Sequence, residues 1–339
     1  MSRIHKATLI PGDGIGPSIC EAAVAAIEAT GVKIDWQVHQ AGLAAIEAGM
    51  DPLPKELMES IRDTKVVLKG PITTPVGEGY KSVNVSLRME FDLYANVRPC
   101  VAFQGVSTPF PKTNIVIIRE NTQGLYTGQD MYVGPNKQMA MLFAYNTRDA
   151  MLRICRYTLE YARRHGRKRV TAVHKANILK SLSGIFLDSF REVAQEYREI
   201  EVRERIVDAV CMELVRKPYE HDVIVTTNMF GDILSDLAAG LIGGLGLAPG
   251  GNYGDEVAMF EAIHGSAPDI AGKNVANPIS VMLAGVMMLR HIGEEDAGER
   301  LQLAIQDVLK GGEYLTPDLR PHSTWGTTDL TRAVVDHLA

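Results

Sequence analysis

Cysteine is scarce in this chain and never closely spaced. Cys20, Cys100, Cys155 and Cys211 include no CxxC pair. That argues against a disulfide framework or a zinc site and for reduced thiols in a cytosolic protein. No continuous apolar run approaches the length of a membrane span. The first ten residues, Met-Ser-Arg-Ile-His-Lys-Ala-Thr-Leu-Ile, lack the long apolar core of a secretory signal. A basic excess is also missing. Lys and Arg number 35 against 41 Asp and Glu, a net charge of −6, so no broad nucleic-acid-binding surface is expected. There is no internal repeat and no low-complexity linker. What is present is 339 residues, 46% hydrophobic and 22% charged, a globular composition sufficient for one large domain or two ordinary ones. The expected location is cytoplasmic.

Strand-like and helix-like segments alternate. Strands are expected at Lys6–Ile10, Val32–Gln40, Lys65–Lys69, Thr113–Ile118, Arg169–His174 and Val223–Thr227. Helices are expected at Pro17–Thr30, Pro54–Asp63, Arg148–His165, Ser183–Tyr197 and Asp232–Leu241, with three more at Pro278–His291, Asp296–Lys310 and Thr328–Leu338. The alternation predicts an α/β protein with layered sheets. Glycine-rich turns cluster at Gly243–Gly254, a candidate crossover between lobes. Pro11-Gly-Asp-Gly-Ile-Gly-Pro17 sits between a strand and a helix, where a phosphate-binding turn or a plain tight turn fits. Its spacing is neither the G-x-G-x-x-G dinucleotide fingerprint nor a Walker A loop, so an ordinary Rossmann fold is not inferred.

The run Asn228-Met-Phe-Gly-Asp232-Ile-Leu-Ser-Asp236-Leu-Ala-Ala-Gly240 carries two carboxylates four residues apart. On a helix they stack on one face, where like charges repel. The surrounding Leu, Ala, Ile and Gly do not resemble a solvated charged face, so a divalent cation between the two carboxylates and a substrate is the better reading. Ser82, Asn84 and Arg88 fall at helix-compatible or turn spacing. Arg98 precedes Pro99, and Arg119 ends the apolar run Asn114-Ile-Val-Ile-Ile118, at the mouth of a cleft rather than on a surface. Guanidinium forks match carboxylates, and three of them suggest a small polyanionic substrate, although each alone could be an ordinary ion pair. Tyr126, in a Gly-flanked loop, suits packing or proton donation. Lys175, after a strand end, suits a surface charge or a base of lowered pKa.

These stretches together resemble the isocitrate/isopropylmalate dehydrogenase family, the metal-dependent β-decarboxylating dehydrogenases. The matching segments are Pro11–Pro17, Thr73–Gly77, Ser82–Arg88, Asp92–Pro99, Arg119–Tyr126, His174–Ile178, Asn228–Gly246 and His264–Gly272. They follow one order over nearly the whole chain, and the NAD-dependent isocitrate dehydrogenases are the most similar branch.

The resemblance implies a two-lobed open sheet. Residues 1–98 with 250–339 would form a large cofactor-binding lobe. Residues 99–249 would form a small lobe holding the dimer interface and the metal-binding aspartates. It implies a homodimer with shared sites, Lys175 and Asp208 coming from the neighbouring chain. Arg88, Arg98 and Arg119 would hold substrate carboxylates, and Ser82 and Asn84 the carboxylate that distinguishes isocitrate. Asp232, Asp236 and the neighbour's Asp208 would bind magnesium or manganese. Tyr126 and Lys175 would be the proton-transfer pair. Ile10, Thr74, His264, Gly265, Ala267 and Asn277 would line the cofactor. Asp269 and Ile270 would select NAD, since an acidic side chain there accepts from both ribose hydroxyls and repels a 2′-phosphate, whereas NADP-dependent relatives tend to carry Lys-Tyr. The expected reaction is oxidation and decarboxylation of the tricarboxylate isocitrate to 2-oxoglutarate. Homoisocitrate and 3-isopropylmalate are the alternatives, and a non-catalytic regulatory subunit a more distant one.

Overall fold

A computed structural model describes residues 3–74 and 80–338. Residues 75–79, the first three of which belong to the Thr73–Gly77 motif, lie outside the described residues. The strands among the described residues are β1 Ile4–Ile10, β2 Lys33–Val38, β3 Val66–Lys69, β4 Ala95–Val101, β5 Asn114–Glu120, β6 Gln129–Val133, β7 Met139–Phe143, β8 Arg169–His174, β9 Glu201–Ile206, β10 Val223–Thr226, β11 Pro249–Tyr253 and β12 Ala258–Ala262. The helices are α1 Gly16–Ala29, α2 Leu43–Glu47, α3 Lys55–Thr64, α4 Val83–Glu90, α5 Arg148–Arg164, α6 Gly184–Ala194, α7 Val207–Leu214, α8 Asn228–Leu241, α9 Ile279–His291, α10 Glu295–Gly311 and α11 Thr327–Asp336.

Ten strands form one sheet in the order β2-β1-β3-β12-β11-β4-β5-β10-β8-β9. Two parallel blocks, β2-β1-β3-β12 and β5-β10-β8-β9, are joined through β11 and β4, which run antiparallel to their neighbours. This is the open α/β sheet that the resemblance implied, and its strands prove to be of mixed direction. Its strand order differs from the dinucleotide-binding 3-2-1-4-5-6 arrangement. β6 and β7 pair apart from it as a two-stranded ribbon.

Alternation along β5 shows how both faces are covered. Val116 and Ile118 join a core with Met151, Ile154 and Leu159 of α5 and Phe186 and Phe190 of α6. Ile115 and Ile117 point the other way, against Leu234 and Ala238 of α8. Successive strand residues face opposite sides, so Arg119 continues the Ile115–Ile117 row toward α8. Across the antiparallel pair it faces Asn96 of β4, and Arg98 shares that face two residues on. The sheet thus points Asn96, Arg98 and Arg119 at one helix.

Two expectations need correction. The Gly243–Gly254 stretch is not turn throughout. Gly243 and Gly244 have φ of +116° and +127°, but Pro249–Tyr253 is strand β11, paired on both edges. An ideal Cβ at Gly251 would fall 2.8–2.9 Å from the Tyr253 ring and Met287, so glycine serves close packing there. The helix expected from Asp232 begins one turn earlier, at Asn228.

Candidate functional site

α8 begins where β10 ends, and its first turn is tied to β5. Asn228 Oδ1 accepts from Arg119 Nε at 3.0 Å and Nη2 at 2.7 Å. Asn228 Nδ2 donates to Gln123 O at 3.0 Å. One turn on, Gly231 lies so close to Arg119 that an added Cβ would sit 2.6 Å from its Cβ and Cγ. Arg119 Nη1 therefore reaches Asp232. Arg98 Nη1 lies 3.4 Å from Asp232 and 3.7 Å from Asp236 and donates to Ser235 Oγ. Tyr126 donates its hydroxyl hydrogen to Asp232, and its ring lies 4.9 Å from the Arg119 guanidinium. Four sequence candidates, Arg98, Arg119, Tyr126 and Asp232, thus meet at one carboxylate, with Asp236 a turn away.

Arg98 and Arg119 are 4% and 1% exposed. Burial, then the neighbouring Arg98 and Arg88, pulls the Arg119 guanidinium down to about 9, against the pull of Asp232. Burial lowers Arg98 as well. Such crowded, poorly hydrated cations favour an incoming anion. At Asp232 burial opposes ionisation, but Arg119 and Arg98 outweigh it and hold the carboxyl below its usual range. At Asp236 burial wins and the carboxyl is raised. Burial, then Asp232, raises the Tyr126 phenol above 10.

Arg88, at the end of α4, donates to Glu261 at 3.0 Å, and Lys69 lies 2.8 Å from the same carboxylate. The Arg88, Lys69 and Glu261 side chains are 10%, 1% and 5% exposed. Arg88 Nε and Asn84 Oδ1 are buried without a hydrogen-bond partner among the described residues. Ser82 caps α4 by accepting from Val85 N at 3.4 Å, and Thr74 donates to Ser82 Oγ at 3.2 Å. Sequence reasoning missed Lys69 and Glu261. Their signal was a charged residue in each of two apolar strands.

The glycine loop is a backbone junction. A Cβ at Gly12 would lie 2.2 Å from Pro71 O, and one at Gly14 2.0 Å from Ser266 O. Asp13 accepts from Ala44 N at 3.0 Å and Thr73 N at 2.8 Å, and Thr73 bonds Ser266 at 2.7 Å. Segments 11–17, 71–74 and 264–267 are thereby fixed together. Ile10 is fully buried in the core, so only its backbone borders this junction. His264 Nδ1 faces Gly265 O at 3.0 Å, and burial lowers its imidazole pKa. Ala267 adopts a left-handed φ of +38° before the short turn Pro268–Ile270. Asp269 is exposed and forms no cap there. Asn277 is engaged structurally: its Oδ1 accepts from Ile279 N and its Nδ2 donates to Asp318, both at 3.0 Å.

Lys175 and Asp208 make no bond to this cluster among the described residues. They pair with each other, on a surface where Ile178, Met212, Val215 and Ile233 are exposed. Among the described residues no group of three or more His, Cys, Asp or Glu side chains could hold a metal ion. A single chain therefore does not bring Asp208 to Asp232 and Asp236.

Two buried arginines meeting an aspartate pair, set across the middle of an open mixed sheet, give this α/β fold a charged central site. The chain belongs to the isocitrate/isopropylmalate dehydrogenase family, which it matches over residues 6–334. It is similar to a mitochondrial NAD-dependent isocitrate dehydrogenase catalytic subunit of Arabidopsis thaliana, 47% identical over 335 residues, 98% of this chain and 88% of that protein. The chloroplastic 3-isopropylmalate dehydrogenase of Solanum tuberosum is 46% identical over 323 residues, 94% and 89% of the two chains. The crystal structure of isocitrate dehydrogenase from Methylococcus capsulatus matches with a TM-score of 0.97 and 54% identity, covering 98% of this chain and 99% of that one.

Proposed function

We propose that the protein oxidises and decarboxylates isocitrate to 2-oxoglutarate with NAD and a divalent cation. The observation that carries this is the convergence of Arg98, Arg119, Tyr126 and Asp232, flanked by Asp236 and by the unpartnered polar atoms of Asn84 and Arg88. Asp232 and Asp236 fit magnesium or manganese, because both offer hard oxygen ligands and the half-exposed Asp236 carboxylate has, among the described residues, only Arg98, at 3.7 Å, beside it. When bound, the cation supplies Lewis-acid stabilisation of developing oxyanions, and NAD the hydride acceptor.

The chain's own residues do the rest. Arg88, Arg98 and Arg119 hold the substrate carboxylates as charge-assisted pairs. Ser82 and Asn84 meet the carboxylate that an isopropyl group would replace. Lys175 of the partner subunit removes the hydroxyl proton, with Asp208 of the partner subunit completing the carboxylate set. Tyr126, kept protonated at neutral pH by its raised pKa, protonates the carbon from which carbon dioxide has left. Asp269, uncapped and exposed, accepts from the adenosine ribose of NAD.

We propose a homodimer. Its support is the exposed apolar ribbon, with Met131, Tyr132, Met139, Leu142 and Phe143 uncovered, and the exposed Met212, Val215 and Ile233, an array that a second copy would bury. The lobe division proposed at 98/99 and 249/250 falls within β4 and β11, the strands joining the two parallel blocks. A cytoplasmic location is supported by four free thiols, and no helix among the described residues is long and apolar enough to cross a membrane.

Relatives named for two different acids lie within one percentage point of identity, so substrate must be decided by assay. The test is NADH formation by the purified chain with magnesium and isocitrate, homoisocitrate or 3-isopropylmalate in parallel. Preference for isocitrate is expected. Preference for another acid overturns the roles of Ser82 and Asn84, and no turnover with any favours the regulatory-subunit reading.

A further inference from the structure

Between the Lys69–Glu261–Arg88 group and Arg98 lies a buried line of side-chain amides. Asn252 Nδ2 donates to Glu261 Oε1 at 2.8 Å. Asn252 Oδ1 accepts from Asn96 Nδ2 at 2.8 Å and from Asn121 Nδ2 at 3.0 Å. Asn96 Oδ1 accepts from Arg98 Nε at 2.7 Å. Asn96 and Asn252 are both fully buried, and they sit opposite each other where β4 pairs with β11.

The direction of this line is forced by its ends. Glu261 as a carboxylate only accepts, and a guanidinium only donates. Turning either amide over would set oxygen against oxygen at one end and nitrogen against nitrogen at the other. A buried unmet donor or acceptor costs about 1–3 kcal/mol, so one orientation is locked. The Arg98 guanidinium is thereby pinned at Nε, with Nη1 held by Ser235 and turned toward Asp232 and Asp236. Arginine binds a carboxylate best as a fixed planar fork, and loose placement of such a fork is costly to function.

We propose that Asn96 and Asn252 are positioning residues for the acid substrate. They act through Arg98 by transmitting the fixed orientation of Glu261 across β11 and β4. This rests on Arg98 holding a substrate carboxylate, as proposed above. The line ends at Arg98, which faces Asp232 and Asp236, so it should govern the acid and leave NAD affinity alone.

The test measures KM for NAD and for whichever of the three acids the parent oxidises, in Asn96→Ala, Asn96→Asp and Asn252→Ala. Asn96→Ala should raise KM for the acid roughly tenfold or more, the scale of a lost hydrogen bond to a charged group, with KM for NAD within about twofold. Asn252→Ala, one link further off, should raise it less. Asn96→Asp keeps an acceptor for Arg98 Nε but sets an oxygen against Asn252 Oδ1, so its KM should fall between those of the parent and Asn96→Ala. In an Arg98→Lys background, which has no Nε, Asn96→Ala should add little. An unchanged acid KM in Asn96→Ala, or equal rises for acid and NAD, would overturn the proposal. If the parent prefers an acid other than isocitrate, the substrate assignment fails while the variants still test the positioning role. If the parent oxidises none, calorimetric binding of isocitrate to the same variants decides it, with the same expected pattern.

Discussion

Glu261 is a buried carboxylate set against two buried cations, and replacing it with glutamine removes the charge while keeping the shape. Lys69 and Arg88 would then be left 1% and 10% exposed without their counter-ion. Breaking a buried pair from one side costs about 3–5 kcal/mol, a large part of the 5–15 kcal/mol typical of folded proteins. Burial disfavours the charged carboxylate, yet Lys69 and Arg88 overcome it and hold its pKa far below the ordinary glutamate value of 4.5. For a depressed acid the stabilisation is fully present above the unfolded pKa and is lost as pH falls toward the folded one. Urea unfolding followed by circular dichroism should therefore show a gap of about 3 kcal/mol or more between parent and Glu261→Gln at pH 7. The gap should shrink at pH 4 and below. A second variant isolates the cause: Glu261→Leu combined with Lys69→Met, which removes one cation with the anion, should lose less than Glu261→Gln alone. A gap under about 1 kcal/mol at pH 7, or one of equal size at both pH values, would refute the reasoning.

Asp269→Lys with Ile270→Tyr should weaken NAD use; unchanged steady-state kinetics with NAD would remove the ribose-recognition argument. Lys175→Met and Tyr126→Phe should fail at different steps, oxidation in the first and enolate protonation in the second, as read by single-turnover NADH formation against overall 2-oxoglutarate production. Full overall turnover by Tyr126→Phe would dismiss Tyr126 as the acid. Gly231→Ala places a methyl against the Arg119 stem, so it should destabilise by about 1–3 kcal/mol and raise KM for the acid; parental values for both would mean that α8 and β5 have room to separate.

The α/β alternation and helices α5, α6, α9, α10 and α11 could be read from the sequence because periodicity and apolar runs agree there, whereas α7 was not. The start of α8 could not. Asn228 and Gly231 are weak helix formers, and only the Arg119 contacts across the sheet explain why the helix includes them. β4 and β11 were obscured by composition. Pro99 lies past Val97, the last β4 residue that β11 pairs with, so it falls where β4 is an edge on that side, which a sheet tolerates. Gly250 and Gly251 look like a turn until β12 and β4 are placed on either side. With those strands unread, the amide line and the Glu261 group had no visible neighbours. The arginines and the aspartate pair were visible as residue types at strand and helix ends, but their meeting at Asp232 is a product of sheet register.

Lys175 and Asp208 bond to each other, and within one chain Asp208 does not join Asp232 and Asp236 in a metal-holding group among the described residues. If two chains complete each site, the unit of inheritance for catalysis is the pair of subunits rather than the polypeptide. Mixing a Tyr126→Phe chain with a Lys175→Met chain would yield dimers with one intact site and one doubly damaged site. After gene duplication, one copy could drift in half of its site and still serve an intact partner, so selection on such copies would act on complementary halves.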